Sequence, residues 1–167
     1  PFGVAIAILL YAGLRSEEVM GLHWRDIDQK NRTLTIRRVV TRVAKGEFAP
    51  VETTKSDRIR VITYGDQLAM HLRAAPRTSI YVVPAVRGGY MTPGSFRRQY
   101  DNFFKGLTVR RLSPHKLRHT YATYLIKGGA ELRAVQTLLG HSSVKVTEIY
   151  THVNTDDQRR ASQKLAY

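Results

Sequence analysis

The chain of 167 residues contains no cysteine. Disulfide scaffolds, thiolate metal sites and cysteine nucleophiles are therefore excluded, and the lack of thiols agrees with a reducing interior. Long apolar runs are missing too. The opening segment P1-F-G-V-A-I-A-I-L-L10 is too short to span a bilayer and lacks the basic flank and small-residue cleavage site of a leader. No membrane partner is expected. Internal repeats, low-complexity tracts and obvious linkers are also absent. Acidic residues are few, 13 Asp plus Glu against 27 Lys plus Arg, for a formal net charge of +14. A hydrophobic content of 43% supplies one core, short of a comfortable second one.

The basic excess is concentrated. Eleven basic residues and a single acid, Asp101, lie between Gln67 and Ala130, and five basic residues with no acid lie between Asn31 and Gly46. Blocks of this kind form an electrostatic footprint for a polyanion. Arg well outnumbers Lys, which favours bidentate phosphate contacts over diffuse attraction. Arg37, Arg38, Arg42, Lys45, Arg97, Arg98, Arg110, Arg111 and Lys116 are the candidates to grip a nucleic-acid backbone.

The pattern predicts a mainly α chain with a small antiparallel three-stranded β-sheet. Residues 2–12 read as an apolar helix ending at Gly13. Ser16 is expected to cap a short second helix whose first turn holds Glu17 and Glu18, where the helix dipole favours acids. Three β-like runs follow: 33–40, about 48–51, and 58–62. A helix is expected over 65–74, then an extended piece at 80–83. Thr92-Pro93 and Ser113-Pro114 are start signals, a capping hydroxyl followed by proline at the first helical position. Their helices should run to about Lys105 and to K127-G-G129. Further helices are expected at about 131–139 and 143–152, with a polar tail helix over 154–167. Residues 1–167 read as one domain, and the start inside an uncapped apolar run suggests a piece of a longer protein.

The stretch S113-P-H-K-L-R-H-T-Y-A-T123 sets His115 and Arg118 three apart on one helix face. His119, four beyond His115, invites comparison with the H-E-x-x-H zinc helix. Lys116 stands where that motif needs its glutamate, and neighbouring cations would oppose a divalent ion. No metal is expected. Four further segments join it: Y11-A-G-L-R-S-E-E18 with Arg15, T54-K-S-D-R58 with Lys55, and L138-L-G-H-S-S143 with His141, followed by I149-Y-T-H152 with Tyr150. Asp26 and Asp28 resemble a nuclease carboxylate pair but have no third partner, so they read as turn and strand-entry residues. Trp24, Tyr11, Tyr121 and Tyr124 read as packing residues.

Taken in order, Arg15, Lys55, His115 with Arg118, His141 and Tyr150 resemble the motif series of the tyrosine recombinase (phage integrase) family over roughly residues 3–153. Glu18 matches an acidic position with which that family supports its active site. Glu17 departs from the pattern, which more often has a small residue there. The resemblance implies the catalytic-domain fold of the DNA breaking-rejoining enzymes, here without the N-terminal DNA-binding modules that usually precede it. It implies Tyr150 as nucleophile and Lys55 as general acid. Arg15, Arg118, His115 and His141 would act on the phosphate, with His119 in support and no cofactor. The implied partner is duplex DNA at recombination or attachment sites, bound by a homotetramer of the full-length protein, with the isolated domain a monomer. A cytoplasmic, nucleoid-associated location is expected. A type IB topoisomerase-like enzyme, a non-enzymatic basic DNA-binding module and, more remotely, a zinc hydrolase are the competing readings.

Overall fold

In the computed structural model, which describes residues 2–52 and 59–140, the apolar opening run forms α1 (Gly3–Tyr11). Val4, Ala5, Ala7, Ile8 and Leu9 are all buried, as expected of a helix that is apolar on every side. Gly13, at φ 63°, ends it in the left-handed conformation that glycine adopts without a Cβ penalty. The chain then enters α2 (Ser16–Gly21). Ser16 was expected to cap this helix, but the capping position is Arg15. Its backbone N–H donates to Glu18 Oε2 at 2.8 Å, because a buried acid at the third helical position can reach back to the cap.

A single turn of 3-10 helix (Trp24–Asp26) leads to β1 (Ile27–Asp28), followed by β2 (Thr33–Ile36), β3 (Arg38–Ala44), β4 (Glu47–Glu52) and β5 (Arg60–Thr63). The three-stranded antiparallel sheet is present but is built of β1, β2 and β5, while β3 and β4 form a separate hairpin. The predicted run over 33–40 divides at Arg37. Consecutive residues of a regular strand point to opposite faces. Here Arg37 Nε lies 2.9 Å from Asp26 Oδ1 and Arg38 donates to Asp26 Oδ2. Two neighbours turned toward one buried carboxylate require a break between them. Asp26 is thus an ion-pair centre as well as the end of a turn. Asp28 is the turn residue expected, accepting from Asn31 N at 2.9 Å and Nδ2 at 2.7 Å.

The remaining elements are α3 (Asp66–Ala74), α4 (Pro93–Lys105), α5 (Pro114–Lys127) and α6 (Leu132–Leu139). Thr92 Oγ1 accepts from Ser95 N and Ser113 Oγ from Lys116 N, so both hydroxyl–proline start signals work as read. The extended piece at 80–83 lies along residues 22–24, with Trp24 N donating to Ile80 O and Val82 N to Leu22 O. Two compact units divide the chain, Pro1–Tyr121 and Ala122–Tyr167. The first holds α1 to α4 and both sheets, with Leu14, Leu34, Ile62, Leu68 and Leu72 in its core. In the second, α6 buries Val135 and Leu139. Lys55, His141, Tyr150 and the helices predicted over 143–152 and 154–167 lie outside the described residues. Among the described residues no helix is long and apolar enough to cross a membrane.

The end of α2 rests directly on β3. A Cβ on Gly21 would stand 2.8 Å from the Arg38 carbonyl oxygen and 3.2 Å from Val39 N, both backbone atoms that cannot rotate away. Alanine in a helix ordinarily gains up to about 1 kcal/mol over glycine. At Gly21 the sign should reverse, with Gly21→Ala losing about 1–3 kcal/mol through overpacking. Gly94→Ala in α4, where a Cβ meets nothing within 4 Å, should be neutral or stabilising. Urea denaturation of the two variants beside the wild type measures both.

Candidate active site

The corner between α1 and α2 holds the first catalytic candidate. Arg15 Nη1 donates to Glu18 Oε1 at 3.1 Å while its backbone N–H holds Oε2. The Arg15 side chain remains 44% exposed, against 3% for Glu18, so the arginine reaches outward from an anchored base. Behind Glu18 stands Arg60 of β5, whose Nη1 and Nη2 donate to Oε1 and Oε2, each at 2.8 Å. This is the parallel two-bond fork that a guanidinium makes with a carboxylate. Burial on its own raises the Glu18 pKa. The hydrogen bonds and charge of Arg60, and then those of Arg15, outweigh it and hold the carboxyl below its ordinary 4.5.

The second candidate reaches the same corner from α5. Arg118 is buried and its Nη1 donates to the Gly13 carbonyl oxygen at 2.5 Å. Both arginines are therefore tied to residues 13–18, although 103 positions separate them in sequence. The start of α5 is itself braced. Tyr100 donates its hydroxyl to the Leu112 carbonyl at 2.7 Å, and Arg111 lies over the Tyr100 ring while Nε donates to Asp101 at 2.8 Å. Burial, only partly opposed by Arg111, pushes the Tyr100 phenol up to about 12, and its hydroxyl is committed to the Leu112 carbonyl. His115 is exposed one turn before Arg118, and its ring meets that of His119 edge-on at 5.3 Å. Burial and then the neighbouring His115 lower the His119 pKa.

Of the predicted backbone-binding residues, Arg42, Lys45, Arg97, Arg98, Arg110, Arg111 and Lys116 are exposed. Arg37 is half-buried and paired with Asp26. Arg38 is 6% exposed and is bound to Asp26, with Glu52 3.6 Å away. It braces the hairpin from inside, with its charge taken up by the Asp26 carboxylate. Arg97 and Arg111 line a cavity of about 300 Å³ with Ser16, Met20 and Phe96. Tyr124, read as a packing residue, is 71% exposed. Arg60 was missed. Its signal was period-two placement in R58-I-R-V-I62, which puts Arg60 on the same strand face as buried Ile62. Among the described residues no three His, Asp or Glu side chains gather as a metal site.

The sequence model of the phage integrase family matches residues 3–157. The chain belongs to the phage integrase family. Its curated relatives include tyrosine recombinase XerC of Corynebacterium efficiens, 40% identical over 90% of this chain and 46% of the relative. Another is tyrosine recombinase XerD of Rickettsia conorii, 33% identical over 94% of this chain and 54% of the relative. The chain thus spans about half the length of the curated relatives it matches. Among solved structures, the Tn1549 transposon integrase in complex with circular intermediate DNA superposes with a TM-score of 0.77 at 24% identity. The match covers 99% of this chain and 60% of that one, and it establishes the fold that this phage integrase family member shares.

Because the Glu18 carboxyl is held below 4.5, its ionised form stabilises the fold fully above that pH, and the contribution disappears as pH falls through the depressed value. Glu18→Gln should cost about 3 kcal/mol near neutrality, where it breaks a buried pair. The variant should also lack this acid-limb slope. Urea unfolding from about pH 7 down to about pH 3 reads both effects.

Proposed function

We propose that this chain is the catalytic part of a site-specific DNA recombinase that cuts and rejoins duplex DNA through a 3′-phosphotyrosine. The observation that supports this most directly is the convergence of Arg15 and Arg118 on one buried corner in a member of the phage integrase family. Two fixed guanidinium groups suit the non-bridging oxygens of a phosphorane-like transition state, a task that metal ions perform elsewhere. In the proposed step the Tyr150 phenol gives its proton to a neighbouring imidazole or to water as its oxygen bonds to phosphorus, the bond from phosphorus to the 5′ oxygen breaks, and Lys55 gives that oxygen a proton. His115 and His141 donate hydrogen bonds to the phosphate, with His119 steadying His115. The covalent ester stores the energy of the broken linkage, so rejoining needs no ATP, metal or cofactor.

The exposed basic residues Arg42, Lys45, Arg97, Arg98, Arg110, Arg111 and Lys116 grip the DNA backbone on this reading, and Arg37 assists from the edge of its ion pair. The DNA in the Tn1549 integrase complex supports a duplex partner. Exchange between two duplexes requires four cuts, which calls for a homotetramer on DNA of the full-length protein. The chain alone is a monomer. Such an enzyme works in the cytoplasm on the nucleoid.

A duplex selected by the chain from a random-sequence pool, nicked beside the cut position, supplies the substrate. The wild type should leave a covalent protein–DNA band on a denaturing gel, and Tyr150→Phe should bind the duplex equally well and leave none. Arg118→Ala should slow adduct formation by about 10²- to 10³-fold. An adduct formed by Tyr150→Phe removes the assignment, and supercoil relaxation without strand exchange transfers it to a type IB topoisomerase.

A further inference from the structure

We infer that Arg60 is a positioning residue for strand cleavage: it neutralises and orients Glu18 so that Arg15 presents its charge to the phosphate. The inference rests on the recombinase reading of the site. Glu18 is almost wholly enclosed, and both of its oxygens are shared between Arg15 and Arg60. Two cations and one carboxylate leave one positive charge on the cluster. If Arg60 is removed, Arg15 and Glu18 cancel one another, and the outward-facing guanidinium becomes half of a neutral pair. The geometry is equally dependent on Arg60. Arg60 pairs with Ile36 of β2 in the antiparallel ladder, so the fork is anchored in a sheet and holds the carboxylate in one plane. Through Glu18, that plane sets where the Arg15 backbone and side chain lie.

Among the described residues the charges around Glu18 are few. Arg15 comes from the start of its own helix and Arg60 from β5. Of the other elements against α2, α1 carries no charged residue. β3 brings Arg38, bound to Asp26 and near Glu52. α4 brings Arg97, which lines the cavity beside Glu17. Arg60 forks both oxygens of Glu18 with one guanidinium, while Arg15 reaches Oε1 with its side chain and Oε2 with its backbone N–H. Losing Arg60 therefore leaves a buried carboxylate with one fewer cation that tends to pick up a proton.

The test measures single-turnover cleavage of the selected duplex by wild type, Arg60→Gln, Arg60→Lys, Glu18→Gln and the double Gln variant. Arg60→Gln should bind the duplex within about twofold of wild type. It should cleave about 10- to 100-fold more slowly, the loss typical of residues that orient metal ligands from behind. Its rate relative to wild type should fall further as pH is lowered, because a protonated Glu18 lets go of the Arg15 backbone and side chain, and this loss of position outweighs the charge regained. Arg60→Lys keeps the charge without the fork, so it should cleave several-fold slower with a wild-type pH profile. It also serves as the deciding variant if Arg60→Gln does not fold. In the Glu18→Gln background, adding Arg60→Gln should cost little more. A wild-type cleavage rate in Arg60→Lys, or full additivity in the double variant, overturns the inference while leaving the recombinase reading intact. That reading fails separately, if the wild type forms no adduct at all.

Discussion

A carboxylate with almost no exposed surface stays ionised only when cations stand at contact distance, and the arrangement around Glu18 follows from that constraint. Its two oxygens take the Arg60 fork, the Arg15 side chain and the Arg15 backbone N–H. One acid therefore fixes the start of α2, links that helix to β5 and sets the base of a guanidinium that points outward. Arg118 joins the same corner through the Gly13 carbonyl, which is available there because a left-handed glycine has turned the chain. Gly13, Arg15 and Glu18 thus lie within six residues and organise groups contributed from β5 and α5.

Asp26 repeats the device for a different purpose. It draws two consecutive arginines to one point and so ends β2 and starts β3 in another direction. Buried ion pairs are weak contributors to net stability, since desolvation offsets much of their attraction. Their value in this chain is geometric. Asp26 decides where the hairpin leaves the sheet, and Glu18 decides where the corner shared by Arg15 and Arg118 lies. The surplus of arginine is accordingly divided. Arg38 and Arg60 brace the interior, while Arg42, Arg97, Arg98 and Arg110 stay on the surface.

Much of this was legible in the sequence wherever the signal is local. Thr92-Pro93 and Ser113-Pro114 announced α4 and α5, because capping hydroxyls and a proline without an N–H act within one turn. The ring contact of His115 with His119 follows from their spacing of four on one helix. The recombinase-like order of motifs singled out Arg15 and Glu18 together. The division of 33–40 into two strands was hidden, because it depends on Asp26, which lies more than ten positions from Arg37. The fork from Arg60 to Glu18 joins residues 42 positions apart, and nothing in either neighbourhood specifies the other. Arg38 was misread for the same reason: composition counts charges and cannot tell a buried arginine from an exposed one.

The bare approach of Gly21 to the β3 backbone has a mechanical consequence. Side chains between two elements act as springs, changing rotamer and absorbing small displacements. At this point there is none, and main chain bears on main chain. A load on the hairpin, such as the pull of a bent polymer on Arg42 and Lys45 at its far end, would pass to α2 with little compliance, as through a lever resting on a fulcrum.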